Sequence, residues 1–108
     1  MDILDKIKTQ IKDNKILLYM KGNPDFPSCG FSAKAVHAVM SCNVEFAHVD
    51  ILLNPDIRSS LPAYANWPTF PQLWVDGELV GGCDIILEMY ATGELQELLV
   101  NAATNNIA

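Results

Sequence analysis

An α/β domain, with one four-stranded mixed sheet flanked by helices, is the fold class that the sequence predicts. Three observations carry it. An apolar run of strand length, Ile16–Met20, and a second strand-like segment at 45–50 are separated by residues Phe31, Ala35, Val36, Val39 and Met40 at helical spacing, which makes a βαβ unit. Further on, Gln72-Leu73-Trp74-Val75 and Glu78-Leu79-Val80-Gly81 are joined by Asp76-Gly77, a strong short-range hairpin signal. The chain has 108 residues, half of them hydrophobic, which is enough for one compact core and one domain over 1–108.

In chain order, Ile3, Leu4, Ile7 and Ile11 fall on one face of a first helix, with Asp2 placed to cap it and Asn14 near its end. That face is there to cover a sheet. Lys6, Lys8, Lys12 and Lys15 are interspersed with acids and read as a solvated helix face. Ile16–Met20 is apolar at every position, as expected of a central strand buried on both sides. Lys21 and Gly22 close it, and Asn23-Pro24-Asp25-Phe26-Pro27 forms a loop stiffened by its two prolines.

A helix of about 30–42 leads to the strand at 45–50, parallel to the first if the crossover is right-handed. Asn54-Pro55-Asp56 is a helix start, an N-cap residue followed by proline, with Ile57, Leu61 and Tyr64 as the apolar face and Arg58 one turn in. Pro62 predicts that this helix is short or bent. Two prolines in Asn66-Trp67-Pro68-Thr69-Phe70-Pro71 make a rigid loop, and one of its X-Pro bonds is a candidate for cis geometry.

After the hairpin, Gly81-Gly82 permits a sharp turn or a close approach, and Cys83-Asp84 opens a helix carrying Ile85, Ile86 and Met89. Gly93 ends it. A last helix over 94–100 carries Leu95, Leu98 and Leu99, and 101–108 is expected to be a fraying, flexible tail. The order α-β-α-β-α-β-β-α-α is the thioredoxin-type arrangement, in which a cysteine after the first strand of the βαβ unit is the expected redox site.

Charge and cysteine count narrow the chemistry. A formal charge of −6 argues against a nucleic-acid surface, which needs basic side chains to displace counterions. No apolar run approaches the roughly 20 residues that span a bilayer, and the acidic, amphipathic start is unlike a signal peptide. A soluble, cytoplasmic protein is expected. Three cysteines, an odd number in a reducing compartment, favour reactive or metal-binding thiols over a disulfide framework.

The stretch Ser28-Cys29-Gly30-Phe31-Ser32 is where that chemistry belongs. Cys29 falls at a helix N-terminus, where unpaired N–H groups and the helix dipole favour a thiolate. The C-x-x-C spacing of a redox dithiol is here C-x-x-S, with Ser32 in the second place. No disulfide can close across that spacing. Cys42 reads as packing, the Cys83 thiol reads as packing rather than a resolving thiol with a slow disulfide to Cys29 left open, and the isolated His37 and His48 are weak metal evidence. Trp67 and Trp74 read as packing, with Trp67 near enough to the proline loop to flank a groove.

Four blocks in order, Lys21-Gly22, Cys29-Gly30-Phe31-Ser32, Trp67-Pro68-Thr69-Phe70-Pro71-Gln72 and Gly81-Gly82-Cys83-Asp84, closely resemble the monothiol glutaredoxins of the C-G-F-S type, in their single-domain bacterial form. The resemblance runs from about Ile7 to Leu99. It implies a glutathione groove beside Cys29: Lys21 and Arg58 for the terminal carboxylate, Phe70 before Pro71 for backbone pairing with the cysteinyl part, and Cys83 and Asp84 for the γ-glutamyl end. Opposed charges at the two ends suit a zwitterionic tripeptide.

The resemblance further implies a [2Fe–2S] cluster bridging a homodimer. Such a cluster generally takes four thiolates, and here two Cys29 sulfurs and two glutathione sulfurs would supply them. Half of the ligands would then be exchangeable, as suits a carrier delivering clusters to apo iron–sulfur proteins. Two other readings stay open. Cys29 can act as a glutathione-dependent thiol–disulfide oxidoreductase without a second cysteine, removing glutathione from mixed disulfides, an activity that the resemblance implies is weak and that ranks second to cluster carriage. Family members also pair with BolA-like proteins, whose histidine can replace ligands in a mixed cluster.

Overall fold

The computed structural model describes residues 2–104. Nine elements follow one another: α1 (Ile3–Asp13), β1 (Ile16–Met20), α2 (Gly30–Met40), β2 (Ala47–Asp50), α3 (Pro55–Ala65), β3 (Gln72–Val75), β4 (Glu78–Gly81), α4 (Cys83–Thr92) and α5 (Glu94–Thr104). The four strands form one sheet in the order β2-β1-β3-β4, with β1 and β2 parallel and the other neighbours antiparallel. This is the mixed sheet that the sequence predicts.

Side-chain alternation along β1 explains why all five of its residues are apolar. Ile16, Leu18 and Met20 face a core built with α2, α4 and α5, including Ala35, Val36, Val39, Ile86, Leu95 and Leu99. Leu17 and Tyr19 face the other way, onto Ile7 and Ile11 of α1 and Ile57 and Leu61 of α3. The sheet is therefore covered on both sides. Tyr19 is buried, and its hydroxyl donates to Gln10 Oε1 at 2.9 Å. Burial, with Tyr64 nearby, pushes its phenol well above the ordinary range.

Local signals set most of the boundaries. The Asp2 carboxylate caps α1 by accepting the Asp5 N–H at 3.1 Å, and Gly93, in the left-handed region at φ 84°, ends α4. The Phe70–Pro71 bond is cis. Lys6 of the expected solvated face pairs across to Asp56 of α3 at 3.2 Å.

Four expectations need correction. α2 ends at Met40 rather than 42, and β2 begins at Ala47, leaving Glu45 and Phe46 outside the sheet. α3 is not shortened by Pro62: it runs eleven residues to Ala65, because Ile57 and Leu61 are fully buried on the sheet and outweigh one missing helical hydrogen bond. α5 continues through Thr104, with Ala102 buried against the core, so 101–104 is helix. Residues 105–108 of the expected tail lie outside the described residues. Among the described residues no helix is long and apolar enough to cross a membrane.

Candidate functional site

The turn leaving β1 builds the site. Gly22 sits at φ +90°, and a Cβ there would lie 2.5 Å from the Phe26 carbonyl oxygen and 2.7 Å from the Ser28 nitrogen, so only glycine fits. The loop it begins closes on itself. The Ser28 N–H donates to the Lys21 carbonyl at 2.9 Å, while Asn23 Oδ1 accepts the N–H groups of Asp25 and Phe26 at 3.0 and 2.9 Å. On its outer side the Gly22 N–H donates to Asp50 Oδ1 at 3.0 Å.

That loop delivers Cys29 to the N-cap position of α2, where its sulfur accepts the Ser32 N–H at 3.3 Å. Burial opposes ionisation of this thiol. Hydrogen bonds from the Ser32 side chain and from the N–H groups of Ser32 and Phe31, with the charge of Lys21, outweigh it and bring the thiol below its ordinary value. Ser32 is itself fully buried, and its hydroxyl accepts the Lys21 N–H at 3.0 Å. From the sequence Ser32 is only a missing cysteine; in the fold it ties the thiol to the end of β1. Phe26 and Phe31, 78% and 63% exposed, place apolar surface on either side of Cys29.

Beside the thiol is an open pocket of ≈ 570 Å³. Lys21, Arg58, Phe70, Cys83 and Asp84 all line it, so residues from four separate parts of the chain meet around one pocket. Cys29 does not line it. The sulfur stands at the rim, near enough for its charge to interact with Lys21 and Cys83. The cations come from the turn after β1 and from α3, which follows β2, whereas Asp84 and the N-terminus of α4 follow β4 at the other edge of the sheet, beyond Gly81-Gly82. One end of the pocket therefore suits a carboxylate, and the other offers N–H groups and a counter-charge to an ammonium.

The remaining cysteines behave differently. Burial pushes the Cys83 thiol up, as does Asp84, against the opposing charge of Lys34. Cys42 is likewise raised by burial, and its thiol donates to the Ala38 carbonyl at 3.5 Å. All three cysteines are free. Among the described residues no three His, Cys, Asp or Glu side chains gather as a metal site would require.

Gln72 is a residue whose role the sequence does not disclose. It is fully buried at the start of β3, where its Nε2 donates to the carbonyls of Trp67 and Thr69 at 3.1 and 3.2 Å and its Oε1 accepts the Trp74 indole N–H at 3.1 Å. The pocket loop at 66–71 is thus stapled to the sheet by one amide. Its signal was a lone polar residue opening an otherwise apolar strand. Trp74 packs in the core as expected, whereas Trp67 lines the pocket beside Gly82.

The family model for glutaredoxin matches residues 16–80. The chain is similar to Glutaredoxin 4 of Pasteurella multocida, 73% identical over 103 residues that cover 95% of this chain and 94% of that one. It is likewise 68% identical over 100 residues to Glutaredoxin 4 of Escherichia coli K12, covering 93% and 87%. Among solved structures, reduced poplar apo GrxS14 superposes with a TM-score of 0.73 at 50% identity, over 92% of this chain and 88% of that one. The buckwheat glutaredoxin–glutathione complex, with a TM-score of 0.80 at 19% identity over 98% and 93%, shares the fold.

Proposed function

The chain belongs to the glutaredoxin family, and from that premise we propose that it binds glutathione beside Cys29 and, as a pair of chains, carries a [2Fe–2S] cluster to apo-proteins. One observation carries this reading: a single thiol of lowered pKa, with Ser32 rather than a second thiol behind it, at the rim of a pocket with oppositely charged ends. Glutathione matches that pocket. Its glycine carboxylate faces Lys21 and Arg58, its cysteinyl backbone runs along Phe70, and its γ-glutamyl group meets Cys83 and Asp84. The tripeptide's own sulfur then lies close to Cys29.

A cluster needs four ligands, and a single chain offers one suitable thiolate. Two chains and two glutathiones complete the set. The exposed Phe26 and Phe31 around Cys29 give a second chain apolar surface to cover. Because two of the four ligands can exchange with free glutathione, the cluster is cargo, released without unfolding the protein. The same accessible thiol would serve a mixed assembly with a BolA-like partner. A reducing cytoplasm is the setting in which three unpaired cysteines persist.

The test is anaerobic reconstitution with ferrous iron and sulfide, with and without glutathione, following visible absorption and particle mass together. A coloured dimer that requires both glutathione and Cys29 is expected. Colour retained by C29S, or formed equally without glutathione, rejects the proposed ligand set.

A second reading rests on the same lowered thiol. The Cys29 thiolate attacks the glutathionyl sulfur of a protein–glutathione mixed disulfide, the protein's thiolate leaves, and Cys29 becomes glutathionylated. A second glutathione thiolate then attacks that disulfide, giving glutathione disulfide and restoring Cys29. A colourless monomer that removes glutathione from a peptide, and loses this activity in C29S, would place this reading first.

A further inference from the structure

We propose that Asp50 is a positioning residue that holds the Lys21 and Arg58 cations in register at one end of the pocket, so that together they select a ligand's terminal carboxylate. Asp50 ends β2, the edge strand beside β1, and it does not line the pocket. Its Oδ1 accepts two backbone N–H groups from different segments, Gly22 at 3.0 Å and Leu52 at 2.9 Å. The first follows Lys21 directly. The second belongs to the connection that leads into α3.

The main chain of Asp50 continues the linkage. Its carbonyl accepts the Asn54 side-chain amide at 2.9 Å, and the Asn54 carbonyl accepts the Arg58 N–H at 3.1 Å. Hydrogen bonds therefore run from the backbone beside one cation, through Asp50, to the backbone of the other. Lys21 and Arg58 lie 37 positions apart in sequence (58 − 21) on separate elements. Two long, flexible cations select a planar carboxylate only when the origins of their side chains are fixed relative to each other.

Charge makes the inference discriminating. Asp50 is an anion on the side of the pocket meant for an anion, so by electrostatics alone its removal should tighten carboxylate binding. Positioning predicts the opposite sign. A carboxylate accepting two N–H groups makes strong, charge-assisted hydrogen bonds, and an asparagine in its place keeps an acceptor oxygen while losing the charge.

The inference rests on the proposed glutathione site, and the experiment separates the two. Calorimetric titration compares reduced glutathione with its glycine carboxamide, which lacks only the terminal carboxylate, on the native chain, D50A and D50N. The native chain should prefer the carboxylate form. D50A should lose roughly five- to tenfold of that preference, mainly through glutathione itself, while D50N retains it. If the native chain prefers the carboxylate and D50A keeps the full preference, melting lower or not, Asp50 only supports the fold and the inference is overturned with the site intact. Tighter glutathione binding by both variants overturns it too, as plain repulsion. No preference in the native chain removes the carboxylate subsite and the inference together. Should D50A not fold, D50S, whose shorter hydroxyl cannot hold both N–H groups, must show the same lost preference.

Discussion

The Lys21 backbone N–H donates at 3.0 Å to the hydroxyl of Ser32, so the residue standing where a second cysteine would stand holds the end of the first strand. Because Ser32 also reaches Cys29 through its N–H and side chain, one buried residue links the pocket cation to the thiol.

Replacing Ser32, whose side chain is fully buried, by alanine strips the part-buried Lys21 N–H of its partner. S32A is expected to lose about 1–3 kcal/mol of stability, the usual cost of an orphaned buried polar group. Denaturant unfolding measures that loss. The Cys29 thiol should also ionise at higher pH in S32A than in the native chain, since a hydrogen bond to the thiolate is gone.

Alkylation resolved by peptide mass spectrometry over a pH series should rank the three thiols, with Cys29 reacting at the lowest pH and Cys42 and Cys83 trailing. A linked effect on stability has a definite sign. The folded thiol of Cys29 is lowered and the unfolded one is ordinary, so ionisation favours the folded chain. That contribution is absent at acid pH, grows as pH rises through the lowered folded value and is complete above the unfolded value of about 8.5. The native chain should therefore gain stability relative to C29S as pH rises from the lowered folded value to the unfolded one, and not below that window. A stability difference that does not vary with pH would show that the thiol is not lowered.

Gly22 allows a sharper test of the loop. G22A must place a Cβ against the Phe26 carbonyl and hold alanine at φ +90°, so a loss of more than about 1 kcal/mol is expected. Weaker glutathione binding should accompany it, because Lys21 moves with the loop. An unaltered melting curve and unaltered binding would mean that the turn relaxes freely.

Gln72 is expected to be intolerant of apolar replacement despite its apolar neighbours. Q72L leaves the carbonyls of Trp67 and Thr69 and the Trp74 indole N–H without their partner, for a loss of about 2–4 kcal/mol. Intrinsic fluorescence should shift as both tryptophans change surroundings. Stability equal to the native chain's would show that the 66–71 loop is held by other contacts.

What could be read from the sequence, and what could not, divides along the range of the interactions. β1, the Asp76-Gly77 hairpin, the Asp2 cap and the start of α3 are local signals, and the structure contains each. That Lys21, Arg58, Phe70, Cys83 and Asp84 belong together came from the family resemblance of the motif blocks, and the structure places all five in the lining of one pocket. The clasps were not legible in the sequence. Ser32 bonds eleven positions back and Asp50 twenty-eight, by polar side chains that carry no periodicity. The continuation of α3 past Pro62 and of α5 past Val100 likewise depends on burial of Leu61 and Ala102, which only the assembled core defines.

The far side of the sheet has its own use. Asp76, in the hairpin turn, donates its N–H at 2.7 Å to the carbonyl of Lys15, just before β1 begins, so this turn lies at the end of the strands opposite Cys29. The molecule measures 37 Å along its longest axis, and Glu78 beside the turn is exposed. A dye attached at Glu78 would sit on the outward pole of each chain in a thiol-to-thiol pair. Energy transfer between two such dyes would then serve as a ruler for assembly and disassembly, read without disturbing either sulfur.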